Sequence, residues 1–324
     1  MEFEHLHVEE KLGVIEESGI KADQRRVEGL DVYHDEKTWG RAVDAVEDIR
    51  KHDSKLGARY TIYRTRGELR ALGVSDLAVG AIGMPAATMW PYKFVTGLLE
   101  KFVKEKGLSI QTNTVVKSVY EEPNGKFATV RTDRGNIKAK HVVHATNAYL
   151  GHLVTELRPY ISPVRANVQR QLPRPSTLKL TRSYWLRYGE KDYDYMMQRP
   201  DGATIIGRGS TGRRATADDS QTDLVAHVHL RGATPFVFDW GTDKVEVTHI
   251  WSGAVAFTQD GNAFVGRIPF SNKKHQWVCG GYGGIGMVRA FKSAQGLAHL
   301  ILGEDLPPEF PRSQLVSETR LDSL

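Results

Sequence analysis

Cysteine is almost absent from this sequence: Cys279 is the single one among 324 residues. One thiol excludes an internal disulfide and any multi-cysteine metal site, and it fits a reducing, intracellular setting. No apolar run approaches the roughly 20 residues that a helix needs to cross a bilayer. Residues 1–10 are acidic and polar where a secretory leader would be basic and then apolar, so a cytoplasmic location is expected. An excess of one charge is also missing. The 44 Lys and Arg against 39 Asp and Glu leave a net charge of +5, spread along the chain with only short clusters such as 208–214. That reads as a solvated surface, with neither a nucleic-acid nor a membrane partner expected. There is no Gly-x-Ser-x-Gly elbow and no Gly-x-x-x-x-Gly-Lys-Ser/Thr loop. The histidines form no metal set: His227 and His229 are spaced to lie on different sides of a helix, and His5 and His7 are close to the N-terminus, so no metal ligands are assigned.

What is present alternates between helical and extended patterns. Residues 8–28 read as a polar helix and loop, 29–33 as a short strand, 37–52 as an amphipathic helix and 58–65 as a strand. Residues 76–91, rich in Gly, Ala and Pro, read as a buried, winding connection. Pro91 opens a helix to about Lys106, with Leu98, Leu99, Phe102 and Val103 on its apolar face, and Gly107 stops it. Short strands are expected at 108–111, 115–121, 128–132, 137–139 and 141–144, with turns at 123–125 and 133–135. From 160 to 250 the pattern is mostly β: strands at 164–171, 183–187, 193–198, 203–207 and 244–250, a polar loop at 208–220 and a helix at about 221–231. A strand at 277–279 and a helix at 287–302 close the chain. This order predicts an α/β domain interrupted by a more β-rich one.

Three segments carry chemical interest. Gly281-Tyr282-Gly283-Gly284-Ile285-Gly286 is a Gly-x-Gly-x-x-Gly between a strand and a helix, followed by Met287. Glycines there let a ligand approach the backbone, and the free N–H groups of a helix start suit an anion or the polar edge of a planar ring. The alternative is a tight structural turn. The full dinucleotide reading fails, because no second strand with a ribose-binding acid follows. His144-Ala145-Thr146-Asn147 ends a buried strand, where open α/β sheets bind ligands; a plain Asn turn is the alternative. The stretch 251–266 joins an aromatic residue, a glycine kink and an Asp-Gly turn.

Together these segments resemble the FAD-dependent amino acid and amine oxidase family, whose members include D-amino acid oxidase, glycine oxidase and sarcosine oxidase. The sequence is similar to its fungal FAD-dependent oxidoreductase branch. The residues that carry the resemblance are 87–98 (Ala-Thr-Met-Trp-Pro-Tyr onward), Thr112-Asn-Thr-Val-Val116, 131–149, Pro163-Val-Arg165, 251–266 and 280–287. It extends from about residue 26 onward. It implies a mixed α/β fold, with a three-layer Rossmann-like FAD domain interleaved with a β-rich substrate domain. The FAD domain is expected at 1–28, 86–158 and 252–306, the substrate domain at 29–85 and 159–251, and a tail at 307–324.

By resemblance, Gly281–Gly286 and Met287 lie beside the flavin ring, Val116 at the adenine, and Ala145, Thr146 and Asn147 near the cofactor. Trp90 and Tyr92 line the substrate side. The expected reaction is dehydrogenation of a C–N bond in an amino acid or amine: hydride passes to flavin N5, water hydrolyses the imine and oxygen reoxidises the flavin. The sequence departs from the family twice. The opening strand–GxGxxG–helix that holds the pyrophosphate is missing, so the FAD domain reads as N-terminally truncated. The alternative is a flavin-deficient pseudoenzyme or fragment acting as a binding module. Secondly, Val255 stands four residues after Trp251, where the glycine-oxidase subgroup carries its carboxylate-binding arginine. Arg165, Arg187 and Arg208 are the replacements considered.

Overall fold

A computed structural model describes the chain except for residues 1, 124, 174–178, 210–214 and 239–244. It begins with α1 (Glu2–Ser18), β1 (Arg25–Tyr33), α2 (Glu36–His52), α3 (Ser54–Gly57), β2 (Thr61–Tyr63), α4 (Arg66–Ala71) and β3 (Gly80–Thr88). Next come α5 (Pro91–Lys106), β4 (Val116–Glu121), β5 (Ala128–Thr132), β6 (Gly135–Ala139), β7 (Val142–His144) and α6 (Leu150–Leu153). A β-rich run follows: β8 (Ile161–Pro173), β9 (Ser183–Arg187), β10 (Tyr193–Gln198), β11 (Thr204–Gly209), α7 (Leu224–Val237) and β12 (Val245–Thr258). The chain finishes with β13 (Phe264–Arg267), β14 (Gln276–Gly280), α8 (Ala290–Leu302) and α9 (Glu318–Asp322).

Local chemistry sets several boundaries. Asp35 Oδ1 accepts the Thr38 N–H at 2.8 Å to open α2, and Arg50, Lys51 and His52 suit the negative end of its dipole. Thr65 and Glu68 form a capping box on α4. Pro91 opens α5, and Gly107 closes it in the left-handed conformation at φ 69°.

Eight strands form one sheet in the order β12-β8-β11-β10-β9-β1-β3-β2. Side chains alternate between its two faces. One face packs Leu30, Val32, Tyr184, Leu186, Met196 and Ile206 beneath α4 and α7. Buried glutamines fasten α7 there: Gln169 Nε2 donates to His227 O at 2.8 Å and Gln171 Nε2 to Leu230 O at 2.9 Å. The opposite face carries Asp31, Trp185, Arg187, Tyr193 and Tyr195, and it is the face that matters below. A second sheet has the order β13-β14-β7, with β14 and β7 parallel, and β4-β5-β6 is a separate meander. No other strand pairs with the outer edge of β7 among the described residues.

The structure differs from the sequence reading in several places. Residues 80–88, expected as a winding connection, are the nine-residue strand β3, paired with both β1 and β2. Residues 108–111 form no strand, because no neighbour offers them an edge among the described residues. The strand expected at 244–250 continues to Thr258, and β13 was not foreseen. The helix expected at 287–302 starts at Ala290, after a 3-10 turn at Gly286–Val288, and a further helix, α9, follows it. Of the expected apolar face of α5, Leu98 packs against the core cluster of Ile15, Ala22 and Phe94, whereas Leu99, Phe102 and Val103 are exposed, as is Val95 beside them. The turn at 123–125 and the loop at 208–220 lie partly outside the described residues. No helix among the described residues is long and apolar enough to cross a membrane.

Candidate functional site

The two parallel strands β7 and β14 deliver the two glycine- and asparagine-bearing segments to the same place. β14 ends at Gly280, and the turn beyond it uses positive φ at Gly281 (79°), Gly283 (63°) and Gly284 (80°). β7 ends at His144, with Ala145 and Thr146 exposed just past it. Asn147, itself at φ 47°, turns its side chain back so that Oδ1 accepts the Gly281 N–H at 3.0 Å. The predicted residues thus meet at the carboxyl ends of a parallel pair, where such sheets hold ligands. The Gly283 N–H donates to Ala256 O at 2.8 Å and ties the loop to β12. Tyr282 instead packs its ring into a core cluster with Ala263, Val265 and Leu297, its hydroxyl 3.2 Å from Cys279 Sγ. Among the described residues the N–H groups of Gly284, Gly286 and Met287 make no hydrogen bond, and Gly284 and Met287 are exposed. A row of free donors on an open glycine turn fits the electronegative edge of a planar ring.

Helix α1 braces this loop from behind. Glu4 pairs with Arg289 at 2.9 Å, the Lys292 N–H donates to His7 Nε2 at 3.1 Å, and Lys11 Nζ donates to Met287 O. Lys11 is buried with no carboxylate beside it among the described residues, and burial lowers its pKa from 10.5 to about 8. Between those two values the unfolded chain holds a proton that the folded chain releases. Stability therefore rises with pH across that window, and the buried charge costs most below it. Lys11→Met is expected to raise the melting temperature at pH 7, with the gain fading as the pH is taken from 8 towards 10.5. A variant that melts no higher at pH 7 would refute this.

The wall opposite the loop belongs to the large sheet. A Cβ on Gly284 would lie 3.5 Å from Phe257 Cζ and 3.9 Å from Tyr193 Oη. From Tyr193 the wall continues to Trp185, 4.9 Å between ring centroids, and to Tyr195, 6.3 Å from Trp185. Tyr195 lies over Gly207, and burial pushes its pKa up to about 12. The Arg187 guanidinium stacks 4.7 Å from the Trp185 ring and 5.2 Å from the Tyr193 ring. Its Nε and Nη2 donate to Asp31 Oδ2 at 3.3 and 3.1 Å.

Strand alternation separates the three arginines. Arg165 shares the parity of Asn167 and Gln169, faces the α7 side and is taken up by Asp218, whose backbone oxygen accepts from its Nε and Nη2 at 2.9 and 2.6 Å. Arg208 lies opposite Asn167, on the same side, where it pairs with Asp192 and with Asp194 at 3.4 Å. Arg187 alone of the three lies on the face of Tyr193. The other predicted residues are placed apart. Trp90 carries Arg199 at 4.1 Å and Lys93 at 4.3 Å on its ring, and the Tyr92 side chain is 71% exposed. No hydrogen bond or ring contact joins either to the glycine loop or to Arg187 among the described residues. Val116 opens β4 opposite Thr132 on the meander. Asp31, Trp185, Tyr193, Phe257 and Lys11 were missed. The alternation of 183–187 and 193–197 was the available signal for Trp185, Arg187, Tyr193 and Tyr195.

A flavin ring fits the loop's donors; among the described residues no second glycine-rich strand-to-helix turn forms a cradle for its phosphates. Comparison with known proteins places the chain in a family. The family described as "DAO: FAD dependent oxidoreductase" matches residues 6–300. A curated relative, the probable oxidoreductase OrdL of Rhizobium meliloti (strain 1021), is 26% identical over an alignment of 280 residues that covers 82% of this chain. The chain spans 60% of that relative's length. Among solved structures, iminodiacetate oxidase from Chelativorans sp. BNC1 superposes with a TM-score of 0.78 at 16% identity, over 97% of this chain and 83% of that one. L-proline dehydrogenase from P. horikoshii gives 0.77 at 21%, over 95% and 80%. Glycine oxidase from Bacillus cereus ATCC 14579 gives 0.75 at 16%, over 95% and 82%. These share the mixed α/β fold, and the family match over most of the chain decides the assignment: the protein belongs to the FAD-dependent oxidoreductase family.

Proposed function

We propose that this protein oxidises the C–N bond of an amino acid whose carboxylate is held by Arg187. The observation that carries the reading is the placement of Arg187 on the sheet face that meets the glycine loop, with no hydrogen bond to Nη1 among the described residues. Bound FAD would supply the hydride acceptor. The free N–H groups of Gly284, Gly286 and Met287 would hold the electronegative edge of its ring, and Asn147 keeps the loop in that shape. Arg187 would fix the carboxylate by paired charge-assisted hydrogen bonds, with its plane set by Trp185 and Tyr193. Tyr193 and Phe257 would exclude water between the clamp and the loop. The same reading divides the chain into a FAD-binding part (1–28, 86–158, 252–306) and a substrate part (29–85, 159–251), followed by a tail (307–324).

The test is visible absorbance of the purified chain after incubation with FAD and desalting, then anaerobic mixing with amino acids and with their decarboxylated amines. Retained flavin that amino acids bleach faster than the matching amines is expected. Equal bleaching by both would remove Arg187 from the reading. A folded but colourless protein would favour a second reading, a flavin-poor binding module.

A further inference from the structure

We propose that a carboxylate binds at Arg187 together with one proton, which Asp31 takes up. The proposal rests on the reading of Arg187 as the carboxylate clamp and deepens it. All the contacts between Arg187 and Asp31 fall on one oxygen: Oδ2 accepts from Nε, from Nη2 and, at 3.4 Å, from the Tyr33 hydroxyl. Oδ1 accepts no hydrogen bond among the described residues. The Asp31 side chain is 14% exposed and that of Arg187 27%. The guanidinium therefore already faces one buried carboxylate while part of its donor set stays open.

A ligand carboxylate arriving at that open side places two negative charges against one positive charge in a poorly hydrated place. Two carboxylates sharing one cation at close range do not both stay ionised. The one with an unengaged oxygen and the smaller exposure, Asp31, takes the proton. Burial already raises the Asp31 carboxyl above the ordinary range, and Arg187 draws it only part of the way back. The other ionisable groups facing Asp31 among the described residues include the phenols of Tyr33 on its own strand, Tyr60 ahead of β2, and Tyr193 stacked over Arg187 from β10. Behind Tyr60 lie His5 of α1, 3.2 Å from its hydroxyl and held towards neutrality by burial, and the charges of Glu4 and Arg59. Burial holds Tyr33 and Tyr60 protonated, so neither supplies a compensating charge.

The balance is simple. One ligand carboxylate and one solvent proton join the Asp31–Arg187 ion pair, an O–H bond forms at Asp31 Oδ1, and the guanidinium passes its pairing to the ligand. By linkage, carboxylate affinity weakens by about tenfold per pH unit above the Asp31 pKa of the free protein. Amines without a carboxylate gain no such dependence.

The site is built from β1, β9 and β10, so the whole chain can be titrated without flavin. Benzoate is added by isothermal titration calorimetry at one pH, in two buffers of different ionisation heat. Uptake of about one proton per benzoate is expected from the unaltered chain. Asp31→Asn is expected to bind with no proton uptake and a flat pH profile, and Arg187→Ala to give no heat. Binding by the unaltered chain without proton uptake would overturn the proton coupling and leave Arg187 as the clamp. No benzoate heat from cooperatively melting protein would overturn both. The two-buffer measurement decides even if Asp31→Asn does not fold.

Discussion

Arg187→Ala is expected to raise KM for an amino acid substrate by on the order of a hundredfold to ten-thousandfold, with a smaller change in kcat. Two charge-assisted hydrogen bonds of about 1.5–3 kcal/mol each are lost, and each 1.4 kcal/mol is about tenfold. The variant also leaves Asp31 buried without its guanidinium, so its melting temperature needs to be recorded beside the kinetics. Arg187→Lys is expected to recover little. A point charge cannot stack between Trp185 and Tyr193 while donating in a fork to Asp31 and to a ligand. Steady-state kinetics with an amino acid and its decarboxylated amine separate the outcomes. If KM for the two rises equally in Arg187→Ala, the residue is structural and the clamp lies elsewhere.

The second large effect falls on stability. Asp194 is fully buried on the α7 side of the sheet, where its carboxylate meets Arg208 at 3.4 Å, the Tyr188 hydroxyl at 3.0 Å and His229 Nε2 at 2.7 Å. Asp194→Ala strands the inner side of an arginine and two hydrogen-bonding groups at once. Breaking a buried pair by deleting one partner costs about 3–5 kcal/mol, which corresponds to a fall of roughly 5–15 °C in melting temperature. Calorimetry or thermal circular dichroism measures it, and a fall of under a few degrees would show that water reaches the cluster. Arg208→Ala belongs to the same cluster. It is expected to lower the melting temperature and leave KM unchanged, the reverse of Arg187→Ala.

The legible parts of this fold carried their information locally. Pro91 and Gly107 bracket α5 in both sequence and structure. The glycine turn and Asn147 were each readable as strand-end segments, and their hydrogen bond joins positions 134 residues apart. β3 was misread because its glycines look like loop residues. They are there because neighbours fill the space: a Cβ on Gly80 would sit 2.4 Å from Trp39 and one on Gly83 2.2 Å from the Glu28 carboxylate. The α5 stripe misled in the other direction, since apolar spacing says nothing of what lies opposite it. The Asp31–Arg187 pair was hidden for a third reason. It depends on the parallel pairing of β1 with β9, across 156 residues, and no local pattern encodes which strands become neighbours.

The brace between α1 and the glycine loop has a consequence for synthesis. Glu4, His7 and Lys11 wait for Arg289, Lys292 and Met287, which lie 285, 285 and 276 residues later. At the usual pace of translation that delay is about 15–60 s. Helix α1 therefore leaves the ribosome long before the residues that fix its place. The site's shape is not available until residues 281–292 have emerged, and any cofactor that needs this loop can be captured only after that.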